Sequence, residues 1–168
     1  MEISIGRIPY SVKIGDDTPR TFSALLMAKS ISLINDCSYH YVQRPGQMMK
    51  VRYEADYWEN AMSIYTLIRD INNEYGFSLY DIDYEINQNI CIDSLNSVIM
   101  EINHSGHERD AIIKRVREIC TSEYFGKAVS KALIKMQAIY FRPGLYAMQN
   151  QSWHIMRAYA AIWKLVMR

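Results

Sequence analysis

The sequence predicts a mainly α-helical single domain, a bundle of six to seven helices preceded by a short N-terminal β-ribbon. Three observations carry that expectation. Apolar residues recur at spacings of three and four through most of positions 19–167. Arg44-Pro45-Gly46, Gly76, Ser105-Gly106 and Arg142-Pro143-Gly144 cut this pattern into helix-sized pieces. And 168 residues, 49% apolar and 22% charged, suffice to bury a core without a disulfide or metal staple.

Residues 1–15 read as strand, since Ile3, Ile5, Ile8, Val12 and Ile14 fall mostly on alternate positions. Gly6 and Pro9 interrupt the run, which suits an edge strand because proline has no N–H for a ladder. Thr18 as N-cap and Pro19 in the first turn open a helix over 19–42, with Ala24, Met27, Ala28, Ile31, Ile34 and Tyr41 on one face. A second helix, 53–75, carries Tyr57, Ala61, Ile64, Ile68, Ile71 and Tyr75 as a seam closed by Gly76. Over 77–104 the pattern is less regular. It predicts two shorter helices, 79–89 and 93–104, capped by Ser78 and Asp93 and separated near Asn87-Gln88-Asn89.

The last third is the most strongly patterned. Ile112, Ile113, Val116, Ile119 and Cys120 line a helix over 107–121. Ser122 is placed to cap the next, 122–140, where Phe125, Ala128, Val129, Ala132, Leu133, Met136, Ile139 and Tyr140 form a wide stripe with Gly126 inside the helix. Arg142-Pro143-Gly144 predicts a sharp turn. The final helix, 146–167, has two adjacent seams: Trp153, Met156, Ala160, Trp163, Met167, and Ile155, Tyr159, Ile162, Val166. A stripe that broad faces a deep core or a partner.

Several function classes find no support. No apolar run approaches the ~20 residues needed to cross a bilayer, and the first residues lack the basic and apolar regions of a signal peptide. Cys37, Cys91 and Cys120 are an odd number at wide spacings, which is no disulfide framework. Cys120 lies on an apolar stripe and reads as a buried thiol, so a reducing, cytoplasmic location is expected. There is no glycine-rich phosphate loop, nucleophile elbow or HExxH. His104-Ser105-Gly106-His107-Glu108 spans a helix break and reads as a solvated turn rather than a metal site. His40 reads as a helix-end residue that complements the dipole. Asp81-Ile82-Asp83-Tyr84-Glu85 lacks the glycine and distal glutamate of a calcium loop and reads as an acidic helix start. The expectation is a protein without catalytic residues, cofactor or metal.

Charge is unevenly spread. Residues 1–106 hold 8 Lys/Arg and 14 Asp/Glu, a balance of −6, while residues 107–168 hold 11 and 4, a balance of +7. Positions 54–101 alone contain ten carboxylates against one base, Arg69. On the positive side Lys127, Lys131 and Lys135 are four apart and form a row along one helix flank, with Lys114 and Arg115 preceding them. This arrangement has three readings: internal charge balance, a basic surface for nucleic acid or an acidic protein, and an acidic surface mimicking nucleic acid. The turn Cys120-Thr121-Ser122 lacks the glycine common in helix-turn-helix motifs.

Thirteen tyrosines against four phenylalanines, with ten methionines, favour interface chemistry, in which a large apolar body needs a polar or adaptable tip. The aromatic cluster around 39–58 makes Tyr41, Arg44, Met48, Met49, Arg52, Tyr53 and Tyr57 the expected partner-binding residues. The sequence therefore predicts a non-enzymatic interaction protein that binds another protein or a nucleoprotein, of the kind phages and mobile genetic elements encode as small accessory or inhibitor proteins. Its alternative is a nucleic-acid-binding regulator using Lys114, Arg115, Lys127, Lys131 and Lys135. No membrane partner is expected. The C-terminal helix offers a third possibility, homodimerisation around Trp153 and Trp163.

Overall fold

One long helix organises the molecule. In the computed structural model, which describes residues 17–32, 56–75, 82–135 and 139–166, the described residues form seven α-helices and no strand. They are α1 (Asp17–Met27), α2 (Tyr57–Tyr75), α3 (Ile82–His104), α4 (Arg109–Thr121), α5 (Glu123–Lys135), α6 (Arg142–Gln149) and α7 (Trp153–Val166), with a 3-10 turn at Ile139–Phe141. α3 packs against α2, α4, α5, α6 and α7, whereas α1 rests on α2. The predicted N-terminal ribbon lies outside the described residues.

The sequence pattern predicts two helices where α3 is one. Its Asn87-Gln88-Asn89 does not break the helix, because Asn87 and Gln88 are buried in its wall and Asn87 Oδ1 accepts a bond from Arg69 Nη2 at 2.9 Å. Asp93 is accordingly no N-cap but a mid-helix side chain. α3 buries apolar and small polar residues around its circumference, among them Ile86, Ile90, Cys91, Ser94, Leu95, Val98 and Glu101, so it has no single apolar stripe to read. Asp83 and Glu85 in its first turn complement the helix dipole, as expected for an acidic start. After His104 the chain turns through Gly106, whose φ of 71° is cheap only for glycine.

Other boundaries move for local reasons. α1 ends at Met27 and residues 28–32 are not helical, so the helix predicted over 19–42 stops early; positions 33–42 lie outside the described residues. α4 and α5 are separated by Ser122 alone, in extended conformation. Its hydroxyl accepts the Phe125 N–H at 3.2 Å, which is the capping expected of it. Arg142-Pro143-Gly144 is not a turn but the first turn of α6, where Pro143 needs no N–H partner. Gly144 is there for close approach: a Cβ would sit 2.7 Å from Leu95 Cδ2 on α3.

The predicted final helix is two. α6 stops in a Schellman arrangement: Ser152 N–H reaches Ala147 O at 2.8 Å, Gln151 N–H reaches Met148 O at 3.0 Å, and Gln151 takes φ 50°. Glutamine rather than glycine in the left-handed position hides this stop from a sequence reading.

The core joins Ile90, Leu95 and Val98 of α3 to Val116, Ile119, Phe125, Leu145 and Met148, all essentially inaccessible. The stripes predicted on α4 and α5 face it through Ile112, Val116, Ile119, Phe125 and Ala128, but Ile139 and Tyr140, predicted to continue the α5 stripe, lie beyond α5 in the 3-10 turn and are exposed. Cys91 is buried and Cys120 half-buried, both as free thiols.

Candidate interaction surface

α7 separates the two seams that the sequence shows side by side. Met156 and Ala160 are buried and Trp153 and Trp163 half-buried, so the first seam faces the core. The second divides: Ile155 is 46% exposed and Ile162 61%, Tyr159 is half-buried against the core, and the Val166 side chain lies outside the described residues; Leu165, in neither predicted seam, is 70% exposed. Exposed Ala158 completes a stripe, Ile155, Ala158, Ile162 and Leu165, at spacings of three, four and three. That is the a/d spacing by which one helix packs along another.

The stripe is wider than one helix. Tyr159 links its edge to the preceding segment, donating from its hydroxyl to Tyr140 O at 3.0 Å. The Tyr140 ring stacks on Trp163 at 6.3 Å between centroids, and Tyr159 stacks on the same Trp163 ring at 6.1 Å. Tyr140 and Ile139 are themselves exposed, at 58% and 68%, beside the stripe. The polar edge of α7 carries His154, Arg157 and Lys164, all exposed, and α7 contains no carboxylate. Ile155, Ala158, Ile162 and Leu165 thus share one outward flank of α7 beside a row of basic groups, the kind of patch that carries a candidate contact.

The sequence-predicted contact residues are dispersed. Tyr41, Arg44, Met48, Met49, Arg52 and Tyr53 lie outside the described residues, as does His40. Tyr57 is half-buried and donates to Asp93 Oδ1 at 2.8 Å, so its polar tip is spent inside the molecule. Among the expected nucleic-acid ligands, Lys114 and Lys127 are exposed, and Lys127 pairs with Glu123 one turn before it. Lys131 and Lys135 belong to α5 by backbone; their side chains lie outside the described residues. Arg115 is an internal tie. Its Nη2 bonds Glu59 Oε2 at 2.6 Å, its Nη1 lies 3.7 Å from Glu118, and its guanidinium sits 5.9 Å from the Trp58 ring centre. Burial alone would lower its pKa, but the bond to Glu59 and the charges of Glu59, Glu118 and Glu101 hold it above the ordinary value. His107 turns its Nδ1 toward buried Glu101 at 3.1 Å.

No family model matches the chain, and no curated protein or solved structure is detectably similar to it.

The structure also assembles a cluster that sequence reasoning missed. Asp93 takes hydroxyl bonds from Tyr57 and Tyr65, and its neighbour Ser94 accepts the Trp58 indole N–H at 2.9 Å. Burial first, then the charge of Asp93, raises both phenols far above the ordinary tyrosine value. Tyr57, Tyr65 and Asp93 line a groove of about 390 Å³ between α1, α2 and α3. Two signals pointed there: Tyr57 and Tyr65 are eight apart on one helix face, and Asp93 interrupts the apolar run Ile90-Cys91-Ile92 and Leu95.

Proposed function

We propose that the protein is a non-enzymatic interaction module that docks on another protein through the outer face of α7. The exposed stripe Ile155, Ala158, Ile162 and Leu165 carries the reading, because its spacing suits an amphipathic helix laid alongside. The basic edge His154, Arg157 and Lys164 favours a partner helix with acidic flanks and gives the encounter electrostatic steering. Such a module acts by occupying its partner's surface, the mode open to a small accessory or inhibitor protein. The cytoplasm, where free Cys91 and Cys120 stay reduced, is the compartment that suits it.

The nucleic-acid reading draws on fewer available groups, since Arg115 is engaged with Glu59 and Lys127 with Glu123. One experiment separates them. Wild-type protein, the Ile155→Glu/Ile162→Glu double variant and a Lys127, Lys131 and Lys135 charge-reversal variant are used as bait in host lysate, with and without nuclease. Capture of one protein that survives nuclease and is lost only in the isoleucine variant supports α7 docking. Capture lost with nuclease and with the lysine variant transfers the function to nucleic acid. A wild-type dimer in light scattering that dissociates in the isoleucine variant makes a second copy the occupant of the stripe.

A further inference from the structure

The groove between α1, α2 and α3 lies away from α7 and has its own chemistry. Its walls are apolar, chiefly Phe22, Ala61, Ile64, Ile68, Ile82 and Ile86. At about 390 Å³ it is large enough for a small organic ligand. Its described lining holds two carboxylates, Asp93 and Glu85, and no Lys, Arg or His. Asp93 is met by phenols: Tyr57 donates to Oδ1 at 2.8 Å and Tyr65 to Oδ2. Among the described residues no basic side chain comes within ion-pair distance of it. A carboxylate offers about four acceptor positions, so the two phenols leave capacity on both oxygens. Because both phenols hold their protons well beyond neutral pH, they remain donors to Asp93 rather than competing anions.

We propose that this groove binds a small amphipathic amine, an alkyl- or arylalkyl-ammonium ion whose cationic head meets Asp93 between Tyr57 and Tyr65 while its hydrocarbon lies along Ile64, Ile68 and Ile86. An ammonium group brings the three donors and the charge that the acceptor end lacks. A fatty acid of the same length fits the walls but sets its carboxylate against Asp93. A neutral alcohol recovers the apolar burial without the ion pair. Charge sign therefore selects the ligand, and the isoleucines set affinity through apolar area.

The test is calorimetric titration of the full chain with octylammonium, octanol and octanoate below their aggregation limits. Wild type binds one octylammonium per chain, with octanoate weaker by about tenfold or more, the size expected for one charge-assisted contact. Asp93→Asn brings octylammonium down to the affinity of octanol. Ile64→Trp fills the groove from its half-buried edge, leaves Asp93 and both phenols in place, and abolishes binding of octylammonium and octanol alike. Circular dichroism checks that each variant is folded. If Asp93→Asn does not fold, the three-ligand comparison in wild type and the Ile64→Trp variant still decide. Absence of saturable octylammonium binding overturns the proposal, as does equal affinity for octanoate or undiminished binding by Ile64→Trp; the last would mean that the amine sits elsewhere.

Discussion

Two glycines show how far a residue's role depends on its neighbours. Gly144 lies against Leu95, and a Cβ would meet Leu95 Cδ2 at 2.7 Å and Cδ1 at 2.8 Å. Leu95 is 2% exposed, so its displacement must be taken up within the core. Gly144→Ala should cost about 1–3 kcal/mol by overpacking. Gly126, within α5, has nothing within 4 Å of a built Cβ, so Gly126→Ala should stabilise by about 0.5–1 kcal/mol through helix propensity. Urea unfolding of both variants measures the contrast, and a pair of equal sign would contradict it. Buried thiols and phenols make a second prediction. Burial pushes Cys91 up to about 12 and Cys120 up to about 11 from the ordinary 9.0, and raises Tyr57 and Tyr65 as well. The unfolded chain gives up these protons first, so the stabilisation is complete below the ordinary thiol value and is lost as pH climbs through the folded values. The urea midpoint should hold steady from neutral pH to about 9 and fall between about 9 and 12. A midpoint independent of pH across that window would show these groups to be exposed. Neither glycine's surroundings could be read from the sequence, because Leu95 is 49 positions from Gly144.

At the scale of elements, amphipathic helices were legible and the central one was not. α4 and α5 present one buried stripe each, and their apolar spacing located them. α3 is covered on several sides, so its buried residues include Asn87, Gln88, Ser94, Ser97 and Glu101, and the periodicity that signals a helix is diluted. Buried polar residues persist there because partners on other helices meet them, as Arg69 meets Asn87 and Trp58 meets Ser94. Arg115 is the clearest tie between elements, joining α4 to α2 through Glu59 and covering Trp58. Arg115→Ala should lower stability by about 1–3 kcal/mol, from a charge-assisted bond and lost ring contact. Exposed Lys114→Ala should stay within about 0.5 kcal/mol. Chemical denaturation of the two variants compares them; equal small effects would make the Arg115 contact a passive surface pair.

For the molecule as a whole, the acidic and basic stretches of sequence meet at α3. It packs on α2 from the acidic side and on α4, α5, α6 and α7 from the basic side. Arg115 of the basic stretch bonds Glu59 of the acidic stretch, so part of the charge separation serves internal balance. Expressed alone, residues 1–106 and 107–168 should each lack a cooperative thermal transition, because each would expose the surface that packs against α3 or α3 itself. Mixing the two fragments should restore one. Circular dichroism melts test this, and a sharp transition in either fragment would establish two independently stable units. Among the described residues no helix is long and apolar enough to cross a membrane, and Ile155, Ile162 and Leu165 on α7 are among the large apolar side chains left exposed.

The sequence by itself determined that the described residues are mainly helical, where α2 and α4 run and where α5 begins, that Ser122 caps α5, and that the last helix is too apolar for one buried face. These are local properties, set by side-chain spacing and by the backbone needs of helix ends. Tertiary structure alone decided that α3 is continuous and central, that α6 breaks from α7 at a left-handed glutamine, and that Asp93 joins Tyr57 and Tyr65 rather than capping a helix. It also decided which residues of α7 turn outward. Each of these depends on what lies across from a residue, and packing partners tens of positions away leave no periodic trace in the chain that they cover.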